Sequence, residues 1–145
     1  MSKMNINLTS TWNGGFRGNG KVRGDCFDVP IAVPTSFGGS GEGANPKELF
    51  TSATAACFLT TLRAITENKK LPVDSLAVTT EADTDENHFS IKHTVDLRLG
   101  NDATDDDVRA AEKMIQSADD MCIVGNLAKK AGVSIDIVPA ITRPA

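Results

Sequence analysis

The chain is poor in the residues from which metal sites and disulfide frameworks are built. Three cysteines occur, at positions 26, 57 and 122, and two histidines, at 88 and 93. No two cysteines stand as Cys-x-x-Cys, which excludes a zinc ribbon and a thioredoxin-type motif. His88 and His93 lie five apart in a strand-rich stretch and form no metal-binding helix signature. An odd cysteine count, with no secretory signal visible in Met1-Ser-Lys-Met-Asn-Ile-Asn, argues against a disulfide scaffold and for a cytoplasmic protein. No apolar run approaches the roughly 18 residues that read as a membrane span. The 15 basic residues are scattered among 19 acidic ones, for a net charge of −4 and a pI near 5.1. Without a basic patch, neither nucleic acid nor an anionic membrane is an expected partner. Cysteine chemistry without a metal is what these absences leave open.

What is present is an ordinary globular composition, 40% apolar and 23% charged, and 145 residues are the length of one domain, 1–145. Ile6, Leu8, Ser10 and Trp12 alternate with polar residues, which predicts a strand with one buried face. Asn13 to Gly20 is a turn-rich break. Residues 21–23 and 26–31 are short strand candidates joined at Gly24-Asp25. Ser36 to Ala44 is a loop with four glycines in nine residues.

A long helix then starts sharply, with Asn45 as N-cap, Pro46 at the first helical position and Glu48 placed for a capping box. Leu49, Phe50, Ala53, Ala56, Cys57, Thr60, Ala64 and Ile65 recur at intervals of three and four, and the helix is expected to end near Asn68. No charge occurs from Leu49 to Leu62, so the helix is expected to be buried all round. Leu76 to Ala82 and Phe89 to Leu99 alternate as two strands of an antiparallel hairpin. Thr104 with Asp107 opens a helix whose stripe is Val108, Ala111, Ile115 and Ala118. A further helical stretch stops at Gly132, and Val133, Ile135 and Ile137 close the chain as a strand. The order predicts an α+β fold, an antiparallel sheet around a long buried central helix. So small a domain covers only about two-thirds of its surface, which makes a homodimer the expected way to bury such a helix.

Two readings stand for each cysteine of interest. Cys57 is either a small core hydrophobe or a nucleophile, and a nucleophile there needs an external cation, best an arginine, to hold its thiolate. Cys122 either continues the apolar stripe from Ala118 or begins the short helix, whose amides would favour its thiolate. Cys26, beside a turn, is a bystander. His93 falls on the apolar face of its strand, where a buried, hydrogen-bonded histidine is expected rather than a ligand or base. Arg17 stands in a glycine-rich turn, the usual place of a solvated arginine.

Gly43-Ala44-Asn45-Pro46-Lys47-Glu48-Leu49-Phe50, followed by Ala53 and Ala55-Ala56-Cys57-Phe58, resembles the signature of the OsmC/Ohr family, osmotically inducible protein C and the organic hydroperoxide resistance proteins. Cys122-Ile123-Val124-Gly125-Asn126 resembles the region around that family's second cysteine. The resemblance implies an OsmC-like fold and an intertwined homodimer in which two central helices pack together and each active site uses both chains. It implies a thiol peroxidase for organic hydroperoxides, with no metal, haem or flavin and a lipoyl-type dithiol as reductant. Cys57 would attack the peroxide and become a sulfenic acid, Cys122 would resolve it as an intramolecular disulfide, and Arg17 would stabilise the thiolate. Phe37, Phe50 and Glu48 are the matching candidates for substrate binding.

The chain departs from the family pattern at several positions. Lys47 stands where the family has an acid, ten residues before the cysteine, which alters the charge of the site. Arg17 follows its glycines with one residue inserted, and Ser36 stands where the other branch carries a loop arginine. Ile123 replaces a proline, a change expected to affect only the local turn. Lys47 motivates a competing reading, a non-catalytic dimeric module that keeps the fold and binds a small hydrophobic ligand.

Overall fold

Three short strands form a meander in the first fifty residues: β1 (Thr9–Asn13), β2 (Asn19–Arg23) and β3 (Asp28–Ile31), antiparallel in the order β1-β2-β3. This belongs to one of two compact units, Met1–Phe50 and Thr51–Ala145, into which the chain divides in a computed structural model that describes residues 3–144. Trp12 pairs with Gly20, and a Cβ there would stand 2.7 Å from the indole ring and 2.2 Å from the Thr11 carbonyl oxygen, so only glycine lets the strands close. The face expected to be buried here is exposed instead. Every residue of β1 is exposed, as are Ile6 and Leu8 ahead of it.

The helix α1 (Pro46–Asn68) begins and ends where the sequence places it. The Glu48 amide donates to Asn45 Oδ1 at 2.9 Å, the expected N-cap bond. Its burial differs from expectation. The helix is not covered all round; its buried residues are Thr54, Phe58, Leu62 and Thr66, four apart, whereas Ala53, Ala56, Thr60 and Ala64 of the predicted stripe are exposed. The stretch of α1 from Leu49 to Leu62, without charge, has no polar face to reveal which side turns inward. The two buried threonines satisfy their hydroxyls on carbonyls one turn back, Thr54 on Thr51 at 2.7 Å and Thr66 on Arg63 at 3.0 Å. Although no uninterrupted apolar run reaches the length of a span, α1 as a whole is long and apolar enough to cross a membrane by length and composition alone, a property that core helices share. Phe58 and Leu62 instead sit in the hydrophobic core of the C-terminal unit.

In that unit β4 (Val73–Thr84) and β5 (Phe89–Leu99) form the predicted hairpin, followed by α2 (Asp105–Met121), α3 (Ile123–Lys130) and β6 (Ser134–Thr142). Thr104 and Asp107 complete a capping box, with bonds of 3.2 and 2.9 Å. Ile91, His93, Val95, Leu97 and Leu99 point inward from β5. The core joins Val95, Leu97 and Leu99 to Phe58 and Leu62 of α1 and to Ala111, Ile115 and Ala118 of α2.

The sheet is mixed, not antiparallel, because β6 pairs with β5 in parallel, Ile91 opposite Ile135 and Leu97 opposite Ile141. The cause is the length of α2. Its 17 residues carry the chain back about 25 Å along β5, most of that strand's span of about 36 Å. The eight-residue α3 does not undo this, so β6 starts beside the start of β5, as a helical crossover requires.

Candidate active site

The site forms where the chain breaks between α2 and α3. The break is Cys122, with φ −70° and ψ 107°, which ends one helix and caps the next. A helix leaves its first amides without internal partners, and here those of Ile123, Val124 and Gly125 find sulfur. Gly125 N–H donates to Cys122 Sγ at 3.4 Å and Asn126 N–H to the Cys122 carbonyl at 2.8 Å. The first two, Ile123 and Val124, hydrogen-bond the sulfur of Cys57 on α1. Cys57 is half-buried and Cys122 buried, both are free thiols, and the two hydrogen-bond each other.

The two thiols are tuned in opposite directions. Burial pushes Cys57 up, but bonds from the Val124 amide, the Cys122 thiol, the Thr61 hydroxyl and the Ile123 amide outweigh it, and its pKa falls below the ordinary thiol value. Burial also pushes Cys122 up. There its bond to Cys57 and the charges of Cys57 and Asp119 add to the effect, and only the Gly125 amide opposes, so its pKa stands at about 11. The negative charge therefore belongs on Cys57 and the proton on Cys122.

The amides of α3 thus act on both sulfurs, Gly125 on Cys122, one of the two readings its sequence position offered, and Ile123 and Val124 on Cys57. Ile123 does more than alter a turn, since its N–H is one of the donors. Neither contribution is visible in side-chain patterns, because both are backbone groups brought across the fold. Thr61 was recognisable only as the residue one turn beyond Cys57.

His93 is the buried, hydrogen-bonded core histidine expected of it. Thr80 Oγ1 lies 2.8 Å from its Nδ1, and its ring stacks on Phe58 with centroids 5.3 Å apart. Burial lowers its pKa against the opposing charge of Asp119, which keeps the ring neutral. Among the described residues, no cluster of three His, Cys, Asp or Glu could hold a metal ion.

A model of the OsmC-like protein family matches residues 39–138, a span that contains both cysteines and most of β6. The chain belongs to the OsmC-like family. It is 29% identical over 129 residues to the uncharacterised protein YmaD of Bacillus subtilis (strain 168), covering 86% of each chain. A shorter match, 33% over 63 residues, reaches 43% of this chain and 44% of an organic hydroperoxide resistance protein of Xanthomonas axonopodis pv. citri. The crystal structure of an OsmC-like protein from Mycoplasma pneumoniae superposes with a TM-score of 0.77 at 14% identity, covering 97% of this chain and 99% of that one. The fold is therefore OsmC-like α+β, with two small sheets and three helices.

The remaining OsmC-like candidates belong to the N-terminal unit and are described there. Arg17 is exposed in the β1–β2 turn, Phe37 is exposed at the end of a 3-10 turn over Thr35–Phe37, and Ser36 is exposed within that turn. Lys47 and Glu48 are exposed in the first turn of α1, and Phe50 is exposed at the unit's last residue. Cys26 is free and exposed between β2 and β3.

Proposed function

We propose that the protein is a cytoplasmic cysteine-based thiol peroxidase that reduces organic hydroperoxides, one functional domain spanning both units. The observation that carries this reading is the opposed tuning of two hydrogen-bonded thiols, a low-pKa sulfur beside a protonated one, the working arrangement for sulfenic acid chemistry followed by resolution.

The Cys57 thiolate attacks the terminal peroxide oxygen. The O–O bond breaks, the sulfur becomes sulfenic acid, and the departing alkoxide takes a proton from water to give the alcohol. Cys57 has then lost its negative charge, so two of the influences that hold the proton on Cys122 disappear. Cys122 gives up its proton, attacks the Cys57 sulfur and expels hydroxide, leaving a disulfide and water. A lipoyl-type dithiol returns both thiols by exchange and is itself oxidised to a disulfide. Arg17 is the proposed thiolate partner, and Phe37, Phe50 and Glu48 the proposed substrate contacts. No metal or organic cofactor takes part.

Reduction of cumene hydroperoxide with dihydrolipoamide tests the reading. Turnover is expected, with a Cys57–Cys122 disulfide inside one chain and Cys26 free on mass mapping of the protein oxidised with one equivalent. Fully reduced protein that gives no turnover overturns the enzyme. It would leave a non-catalytic dimeric module for a small hydrophobic ligand, the reading that Lys47 in place of the family's acid favours.

We propose a homodimer on separate grounds. The chain leaves Ala53, Ala56, Thr60 and Ala64 of α1 exposed, an uncharged helix face that a second copy would cover. An interface of the obligate class, above ~2,000 Å², makes folding and association one process. The thermal midpoint is then expected to rise over a hundredfold increase in protein concentration. A fixed midpoint together with a sedimenting monomer rules the dimer out.

A further inference from the structure

One ion pair differs from the rest in its surroundings. Asp119 lies in the last turn of α2 and Lys129 in the last turn of α3, and Lys129 Nζ stands 2.9 Å from Asp119 Oδ1 across the break at Cys122. The two side chains are 15% and 33% exposed, whereas in every other ion pair among the described residues both partners are at least 38% exposed. Exposed pairs are screened and contribute little; this one is shielded, so its charges matter to their neighbours.

The carboxylate sits in an unfavourable place. It occupies the negative end of the α2 dipole, whose last turn carries no basic residue to offset it. It comes three residues before the cysteine, whose N–H donates to the Asp119 carbonyl at 3.4 Å. Its charge acts on both Cys122 and His93. The nearby Asp120 is occupied by Gln116 Nε2 at 3.0 Å. Lys129 is therefore the cation that meets this carboxylate.

We propose that Lys129 is a positioning residue for resolution: by holding Asp119 it keeps a bare carboxylate from facing Cys122, which must shed a proton to attack the sulfenic acid. This rests on the peroxidase reading above. The chemistry is unchanged: Cys122 sulfur bonds to Cys57 sulfur, hydroxide leaves, and the thiol proton goes to water. Asp119 bears on the second step, since it stands three residues before Cys122 and its charge reaches that thiol.

The experiment separates charge from mere tethering. Sulfenic acid formation and disulfide closure are timed by quenched mass spectrometry, and the hydroperoxide concentration that drives half of Cys57 to sulfinate is recorded. For Lys129→Met, sulfenic acid should form at the wild-type rate, closure should slow about tenfold and sulfinate should appear at about tenfold less hydroperoxide. Lys129→Arg should restore closure. Asp119→Asn, and the double variant Asp119→Asn/Lys129→Met, should close at least as fast as wild type.

If Asp119→Asn slows closure as Lys129→Met does, the pair is only a tether and the proposal falls; this arm decides the question even if Lys129→Met does not fold. Wild-type closure in Lys129→Met overturns it equally. Wild-type protein that forms neither sulfenic acid nor disulfide defeats the peroxidase reading and this inference with it, a result distinct from a wild type that closes while the variants fail to differ.

Discussion

Replacing Cys57 with serine is expected to remove hydroperoxide reduction, by at least a thousandfold, while Cys122→Ser retains a single turnover per chain. The asymmetry follows from the environment of each sulfur. Four hydrogen-bonding groups converge on Cys57 and together outweigh its burial. They stabilise a thiolate, and a serine hydroxyl offers neither an accessible anion nor a comparable nucleophile. Cys122, by contrast, is protonated in the reduced protein, with a pKa of about 11, and takes no part in the first bond. Its serine variant should therefore release one equivalent of alcohol and stop. Sulfenic acid should then accumulate on Cys57 and convert to sulfinate under excess peroxide. Alcohol release measured against protein concentration distinguishes the cases, and multiple turnovers by Cys57→Ser would mean that another group is the nucleophile.

The second large effect is expected from a change that removes one hydrogen atom from the site. Ile123 is the first residue of α3, a position where proline is favoured, because its fixed φ suits the helix and the missing N–H breaks no helical bond. The residue before it, Cys122, already has the extended backbone that precedes proline comfortably. Ile123→Pro should therefore fold normally yet take a donor from Cys57. A bond to a charged group is worth about 1.5–3 kcal/mol, so the rate of sulfenic acid formation at pH 7 should fall by roughly ten- to a hundredfold. The rate rises with pH as Cys57 ionises, and in the variant that rise should move to higher pH, with the plateau unchanged. Ile123→Val, which keeps the N–H, is the control. Identical pH profiles for the proline and valine variants would show that this amide does not stabilise the thiolate.

Much of the architecture is legible because particular residues admit few alternatives. Asn45 and Pro46 mark the start of α1, Thr104 and Asp107 box the start of α2, and the alternation of β5 from Phe89 to Leu99 declares both its length and its inward face. The orientation of α1 is not legible, since its charge-free stretch from Leu49 to Leu62 offers no contrast between sides, and Thr54 and Thr66 look more polar than the alanines that remain outside. The exposure of Ile6, Leu8 and Trp12 is equally hidden, as alternation states which residues share a face and not whether anything covers it. The parallel placement of β6 depends on how far α2 and α3 travel, a quantity of length rather than pattern. The cysteine pair was found by resemblance, whereas its tuning comes from backbone amides that no motif records.

The parallel pairing of β5 with β6 also carries a consequence in time. Ile91 and Ile135 meet across 44 residues (135 − 91), and the segment between them contains Cys122 and the amides that face Cys57. Closing so long a loop is entropically costly and slow compared with forming the β4–β5 hairpin. Until the crossover is in place, Cys57 has none of these donors and behaves as an ordinary thiol, with little anion at neutral pH. On the peroxidase reading, the chain is unreactive until that loop closes, and a nascent or partly unfolded copy is spared oxidation by the peroxide that the folded one consumes. The alkylation rate of Cys57 during refolding would thus serve as a clock for closure of the crossover.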